Sequence, residues 1–241
     1  MELPNNTKSL AVVTPLANEK STITEFLSRV CQQLGPDDRH YCVFDNACTD
    51  GTMQVVETFA KDEPRIEVVF APNSRCVVDA YFAGYRAALD SNADWILEMD
   101  GGLSHQPEEI ESYRQAIATG KYDYIGGCRF MKGGAHRGDF KRRTISWAGG
   151  KLANLVLGTQ LNDMTGGFQC FSREALELVV KQGVKSRAHF FQTEIKFLLR
   201  NHRCLEIPIV YESPSASINN GVVWESIKNL AGLASEARKA A

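Results

Sequence analysis

Apolar residues along this chain recur in two alternating rhythms. Short runs rich in β-branched and aromatic residues predict strands over 10–14, 41–45, 66–70, 95–99 and 122–126. Between them, residues 20–34, 52–61, 77–89 and 107–118 carry apolar side chains at helical spacing. The last of these opens on Pro107 followed by Glu108 and Glu109, which suits a first helical turn. Strand and helix in alternation predict β-α-β units, and hence a doubly wound α/β fold, its mostly parallel sheet covered by helices on both faces. Beyond residue 127 the rhythm loosens. Residues 131–143 are Gly- and Arg-rich without a period and predict a mobile loop. Helices are then expected over 145–157 and 188–200, a strand over 205–211 near an edge because of Pro208, and an amphipathic helix over 224–238.

Composition narrows this picture. The chain has 241 residues, 44% hydrophobic and 23% charged, which suits one soluble domain. No apolar run reaches the roughly 18 residues that a membrane span needs. The first residues lack the basic flank and apolar core of a signal peptide, so a cytoplasmic location is expected. Twenty-seven Lys and Arg against 29 Asp and Glu give a net charge of −2, no global reason to bind nucleic acid or an anionic membrane. The seven cysteines are scattered without a C-x-x-C and are expected as reduced thiols. Asn5-Asn6-Thr7 matches a glycosylation sequon, a triplet that arises often by chance.

Open α/β sheets bind ligands beyond the carboxyl ends of their strands. Three such ends here carry acids: Glu19 after the first strand, Asp45 and Asp50 after the second, and Asp100 after the fourth. Asp45, in a turn-forming stretch, either accepts hydrogen bonds from a ribose or base or belongs to a strand-to-helix turn. Asp100 stands before Gly101 and Gly102, where the backbone permits close approach. It suits a hard divalent cation carrying a diphosphate, with helix capping the alternative.

These residues fall into an ordered series: P-x-x-N-E at 15–19, D-N-A-C-T-D-G-T at 45–52, M-D-G-G-L-S-H-Q-P-E at 99–108, G-G-C-R-F at 126–130, R-R-T-I-S at 142–146, D-M-T-G-G-F at 163–168, F-Q-T-E at 191–194 and E-I-P-I at 206–209. The series resembles family 2 of the glycosyltransferases, and within it the dolichyl-phosphate mannose synthases and related polyprenyl-phosphate glycosyltransferases. The resemblance spans about residues 10–211 and implies a GT-A fold and inverting transfer of a sugar from a nucleotide diphosphate donor, with a nucleotide-sugar-binding half at about 10–127 and an acceptor-side half at about 128–241 of a single domain. It implies that Pro15, Asn18, Glu19 and Asp45 line the nucleoside pocket. Asp100 would hold Mg²⁺ or Mn²⁺ on the diphosphate, with Gln192 as a further ligand. Arg129, Arg143, Ser146 and Thr165 would lie near the diphosphate and the acceptor, with Arg129 and Arg143 catalytic together with Asp100 and Asp163. Guanidinium groups and a divalent cation suit a leaving diphosphate, whose charge they stabilise.

The chain departs from the family at several points. The family's D-x-D is Asp100-Gly101-Gly102 here, so one metal carboxylate is missing, and restoring it by Gly102→Asp is expected to tighten metal binding. Glu98 shares a strand face with Asp100 but lies one step back. The family's second acid after the second strand is Asn46. The basic pattern after E-x-P-I is replaced by Pro214, Ser215, Ala216, Ser217 and Ile218.

Three readings follow. The first transfers a hexose from GDP-mannose or a UDP-sugar to a polyprenyl phosphate. The second uses a hydroxyl acceptor, on a glycan, small molecule or modified base, with Asp163 as the plausible general base, since an alcohol must lose a proton and a phosphate need not. The third is a catalytically weakened nucleotide-sugar-binding protein, suggested by Gly102 and Asn46. His105 can pack, cap a turn or act as a base. If the acceptor is lipid, the helix at 224–238, with Trp224, Ile227 and Leu230 on one stripe, is the segment expected to contact a membrane peripherally. The oligomeric state stays open.

Overall fold

A computed structural model describes residues 8–212 and 220–240, with the side chains of 224–235 in the last helix. The sequon at 5–7 and the stretch that replaces the basic pattern, 214–218, lie outside the described residues. The chain runs β1 (Leu10–Pro15), α1 (Ile23–Gln33), β2 (Arg39–Phe44), α2 (Thr52–Ala60), β3 (Ile66–Phe70), α3 (Val77–Asp90), β4 (Trp95–Glu98), a 3₁₀ turn (Pro107–Glu109), α4 (Ile110–Ala118) and β5 (Tyr124–Cys128). It continues through β6 (Ala135–His136), α5 (Phe140–Leu157), β7 (Gln169–Ser172), α6 (Arg173–Gln182), α7 (Phe191–Leu198), β8 (Cys204–Pro208), β9 (Val210–Tyr211) and α8 (Asn220–Ala240).

Seven strands form one sheet in the order β3-β2-β1-β4-β7-β5-β8. All its pairings are parallel except those of β7, which runs antiparallel to both β4 and β5. Pleating explains the two cores. On β1, Leu10 and Val12 join Ile23, Phe26 and Leu27 of α1 and Ile110 and Tyr113 of α4 on one face, whereas Ala11 and Val13 join α3, α6 and α7 on the other. Gly84 lets α3 press onto the sheet, since a Cβ there would come within 2.4 Å of the Val13 side chain and 2.8 Å of Val43. Tyr81 and Tyr85, on the turns to either side of Gly84, are thereby buried.

The antiparallel β7 brings the second half of the chain to the first. Its first residue, Gln169, pairs with Glu98 at the carboxyl end of β4. The D-M-T-G-G-F loop just before it therefore meets the strand ends where the acids gather.

Several expectations are corrected here. Residues 169–172 and 173–182, for which no element is expected above, form β7 and α6, the latter burying Ala175, Leu176 and Val179 at helical spacing. The predicted loop at 131–143 is not a free loop: its residues 135–136 pair with β9, Arg137 bonds Glu212 at 2.8 Å, and Asp139 caps α5 by accepting from Arg142 N. Local hydrogen bonds supply the order that hydrophobic spacing could not announce. As expected, β8 lies at the sheet edge and all seven cysteines are free. Among the described residues no helix is long and apolar enough to cross a membrane.

Candidate active site

The first half of the chain brings to the strand ends a set of loops clasped to one another. After β1, Asn18 adopts a left-handed conformation (φ 59°) and spends its amide on the loop after β2: Nδ2 donates to Ala47 O, and Oδ1 accepts from Thr49 N and Asp50 N. Asp50 in turn accepts from Thr52 N at 2.9 Å, and Thr52 Oγ1 accepts from Glu19 N at 2.9 Å. Asn18 thus shapes the pocket wall instead of offering a free amide to a ligand. Asp45 closes an Asx turn by accepting from Ala47 N at 2.8 Å and remains half-buried beside the exposed Asn46. Pro15 ends β1, half-buried, at the same rim.

Asp100 lies just beyond β4 with its side chain 41% exposed. Tyr81 Oη donates to its Oδ1 at 2.6 Å, and its backbone N–H donates to His105 Nδ1 at 3.0 Å. His105 is buried and stacks on Phe168 with ring centroids 4.6 Å apart; burial lowers its pKa to about 4, so it is a neutral packing residue. Because Nδ1 accepts, the ring proton sits on Nε2. Rings continue from His105 through Tyr211 to His136, with centroid separations of 5.4 and 5.3 Å. Tyr81 carries no chemical signal in the sequence beyond its helical spacing from Tyr85.

Whether these residues suit a divalent cation turns on their donor set. Among the described residues no three His, Cys, Asp or Glu side chains converge on one point. Asp100 offers an open hard oxygen, which fits a cation of the Mg²⁺ class that is held by one or two carboxylates and completed by diphosphate and water. Gly102 holds a left-handed backbone (φ +67°) that an aspartate adopts only under strain, and a Cβ there would lie 2.9 Å from Glu19 Oε2, the movable end of a flexible side chain. Burial raises the pKa of Glu19, opposed by the Thr22 hydroxyl and reinforced by Asp50.

The second half converges on the same strand ends but presents them closed. Glu98 is fully buried and accepts from Tyr85 Oη, from Gln192 Nε2 and, at 2.9 Å, from Gln169 Nε2. Burial lifts its pKa to about 7 against those three donors. Gln192 was expected as a metal ligand. Instead its amide is engaged at both ends, Nε2 on Glu98 and Oε1 accepting from Gln169, because α7 carries it into the core beside β7. Lys196, one turn on, is buried and donates to Gly166 O at 2.6 Å, its pKa lowered by burial to about 8.

Arg129 and Asp163 also find each other. Arg129 Nε donates to Asp163 Oδ2 at 2.7 Å, and Nη2 donates to Oδ1 at 2.9 Å and to Thr165 Oγ1 at 2.8 Å. The Asp163 side chain is wholly inaccessible. Burial opposes its ionisation, but the Arg129 charge and hydrogen bonds overrule this and hold the carboxyl well below the ordinary range. A carboxylate so weakly basic and so covered is a poor proton acceptor, which speaks against Asp163 as general base. Arg129 and Thr165 are committed to the same cluster. Arg143 is exposed in the first turn of α5, 6.0 Å from the Phe140 ring centroid, and Ser146 is half-buried one turn on. Arg142 lies closer to the crevice, half-buried, its charge bearing on His136 and Tyr211.

Known proteins share this organisation. The chain is 29% identical to an undecaprenyl-phosphate mannosyltransferase of Micrococcus luteus, over 90% of each chain. It is 28% identical to a polyprenol monophosphomannose synthase of Mycolicibacterium smegmatis, over 85% of this chain and 78% of that one. In structure it matches glucosyl-3-phosphoglycerate synthase from Mycobacterium tuberculosis, in complex with Mn²⁺, UDP and glucosyl-3-phosphoglycerate. The TM-score is 0.70 at 16% identity, covering 95% of this chain and 80% of that one. It also matches a mannosyltransferase from Pyrobaculum calidifontis in complex with GDP-Man and Mn²⁺, at a TM-score of 0.60 and 19% identity, covering 98% of this chain and 66% of that one. Both neighbours carry the GT-A fold, as expected here. The family-wide sequence profile described as Glycosyl transferase family 2 matches residues 11–179, the span from β1 into α6 that builds both sides of the crevice, and the chain belongs to that family.

Proposed function

We propose that this glycosyltransferase moves a hexose from a nucleotide diphosphate sugar, GDP-mannose or a UDP-sugar, to a polyprenyl phosphate. The observation that carries the choice of acceptor is the closed Arg129–Asp163 pair. A hydroxyl acceptor needs a base at its oxygen, and the carboxylate nominated for that task is buried and held ionised by Arg129. A phosphate monoester arrives ionised and needs none. The names of the two mannosyl-transferring relatives support the same reading.

In this reading residues 10–127 bind the donor and residues from 128 onward shape the acceptor side. Asp45 and Pro15 meet the nucleoside, while Asn18 holds the loop that carries Asp45. Asp100 would hold Mg²⁺ or Mn²⁺, and Tyr81 and His105 fix its carboxylate and its backbone. A bound cation would offset the charge that develops on the leaving diphosphate. Arg143, exposed at the mouth, meets the acceptor phosphate.

The test is transfer of labelled hexose from GDP-mannose and from UDP-sugars into polyprenyl phosphate dispersed in detergent, with Mn²⁺ or EDTA. Label should enter the lipid phase with Mn²⁺ and stay in water with EDTA. Transfer to alcohols but not to polyprenyl phosphate would overturn the reading.

A further inference from the structure

Helix α7 grips the D-M-T-G-G-F loop from the core side with two side chains one turn apart. Thr193 Oγ1 donates to Met164 O at 3.0 Å, and Lys196 Nζ donates to Gly166 O at 2.6 Å. Between these two points Arg129 Nη2 donates to Thr165 Oγ1 at 2.8 Å, so three consecutive residues of the loop are fixed. Thr193 is an ordinary choice for such a grip. Lys196 is not: it is 2% exposed, and an amide or hydroxyl would satisfy one carbonyl at far less desolvation cost than an ammonium.

What the ammonium adds is orientation and charge. A peptide unit is planar and trans, so its C=O and N–H point in opposite directions. With Gly166 O drawn to Lys196, the N–H of Gly167 faces away from α7, and it has no partner among the described residues. No side chain shields that edge, because both residues of the peptide are glycines. The peptide lies at the strand ends: the next residue, Phe168, stacks on His105, whose Nδ1 accepts from the backbone N–H of Asp100. Around Lys196 the buried charges are Arg129 and Asp163, already paired with each other. Glu206 of β8 is half-buried and accepts from Asn162 N and Asp163 N, and Glu98 of β4 is shared among three donors.

We infer that Lys196 is a positioning residue for the acceptor phosphate: from behind the loop it holds the Gly166–Gly167 peptide with its N–H turned away from α7, and it adds its positive charge to that of Arg129 where the phosphate arrives. The inference rests on the polyprenyl phosphate acceptor proposed above and goes beyond it in naming a residue that no motif marks.

The test is the pH dependence of KM for a short, water-soluble prenyl phosphate, measured on the full-length protein with Mn²⁺ and whichever sugar nucleotide proves active. Burial lowers the pKa of Lys196 to about 8, so its charge is present below that pH and lost above it. The acceptor, a monoester whose second pKa is about 6, is already a dianion there. Of the groups facing Lys196, Arg129 and Asp163 keep their charges through this range, and the step of Glu98, near 7, is common to wild type and variant. Acceptor KM of the wild type should therefore rise as pH passes about 8, while donor KM holds. Lys196→Met keeps the length of the side chain and removes the charge; at neutral pH its acceptor KM should stand roughly tenfold above that of the wild type and should no longer respond to pH around 8. A loss that falls on donor KM instead, or an acceptor KM equal to the wild type's, would overturn the inference. Should the variant fail to fold, the wild-type profile decides alone, and a flat acceptor KM through that range overturns it. Transfer to alcohols with none to prenyl phosphate would overturn the acceptor reading and this inference together, whereas prenyl phosphate transfer indifferent to Lys196 would overturn this inference and leave the acceptor reading standing.

Discussion

The two sides of the crevice use the same residue types for opposite purposes. On the donor side, Asp45 and Asp100 are half-exposed and keep lone pairs open to a ligand, while Asn18, Tyr81 and His105 hold the loops and the carboxylate in place. Where the second half of the chain meets β4 and β5, Glu98, Asp163, Arg129 and Gln192 are buried and paired with one another. A motif acid is therefore no guide to chemistry until its partners are known: Asp100 faces solvent and Asp163 faces a guanidinium. The first side leaves oxygens open to solvent and the second closes its polar groups on one another.

The largest effect expected of this contrast is on stability. Asp163→Asn leaves the buried Arg129 charge uncompensated and should lower the unfolding free energy by about 3–5 kcal/mol in denaturant titrations near neutral pH. The folded pKa of Asp163 is depressed, so its contribution is complete above the ordinary value of 3.8 and is lost as pH falls below it. The gap between wild type and variant should close over that acid range. A gap near zero at pH 7 would erase the distinction between the two sides.

Asp100→Asn should do the reverse. With Tyr81 still bonded to the remaining oxygen, the unfolding midpoint should hardly move, while transfer with Mn²⁺ and GDP-mannose or the UDP-sugar that proves active should fall by roughly 10²- to 10³-fold. Full activity of the variant in EDTA would remove Asp100 from the site.

Glu98 sharpens the comparison through pH. Its folded pKa is raised from 4.5 to about 7, so its stabilising contribution is complete below 4.5 and is lost as pH rises through about 7. Relative to Glu98→Gln, the wild type should lose roughly 2–3 kcal/mol across that window and stay flat above it. A difference that grows in the opposite direction would mean that Glu98 stays ionised, held by its three donors.

Gly102→Asp, which the missing D-x-D carboxylate invites, should fail to tighten Mn²⁺ binding in calorimetry and should cost about 1–2 kcal/mol of stability, because residue 102 needs a left-handed backbone and its Cβ would meet the Glu19 carboxylate. Tighter Mn²⁺ binding would show that Glu19 yields. Smallest is Tyr81→Phe: loss of one hydrogen bond to a half-exposed carboxylate should cost about 1 kcal/mol, seen as a several-fold weaker Mn²⁺ dependence of transfer with little change in fold.

The sequence alone determined the strands and helices up to residue 128, because each buries a stripe whose spacing, two or 3.6 residues, is written in the chain. It also determined the family, through motifs fixed in order, and the site end of the sheet, since Asp45 and Asp100 follow directly on apolar strands. Only the tertiary structure decided which partners those motif residues have. β7 is four residues long and shows no period, yet its antiparallel insertion between β4 and β5 brings Gln169 onto Glu98 and Asp163 up to Arg129. Pairing of this kind depends on burial and on partners tens of residues away, neither of which local spacing records. α5 shows the converse. Its apolar and basic residues were all legible in the sequence, but that they stand outward became visible only once Gly150, Ala153 and Leu157 were seen to be the side turned in.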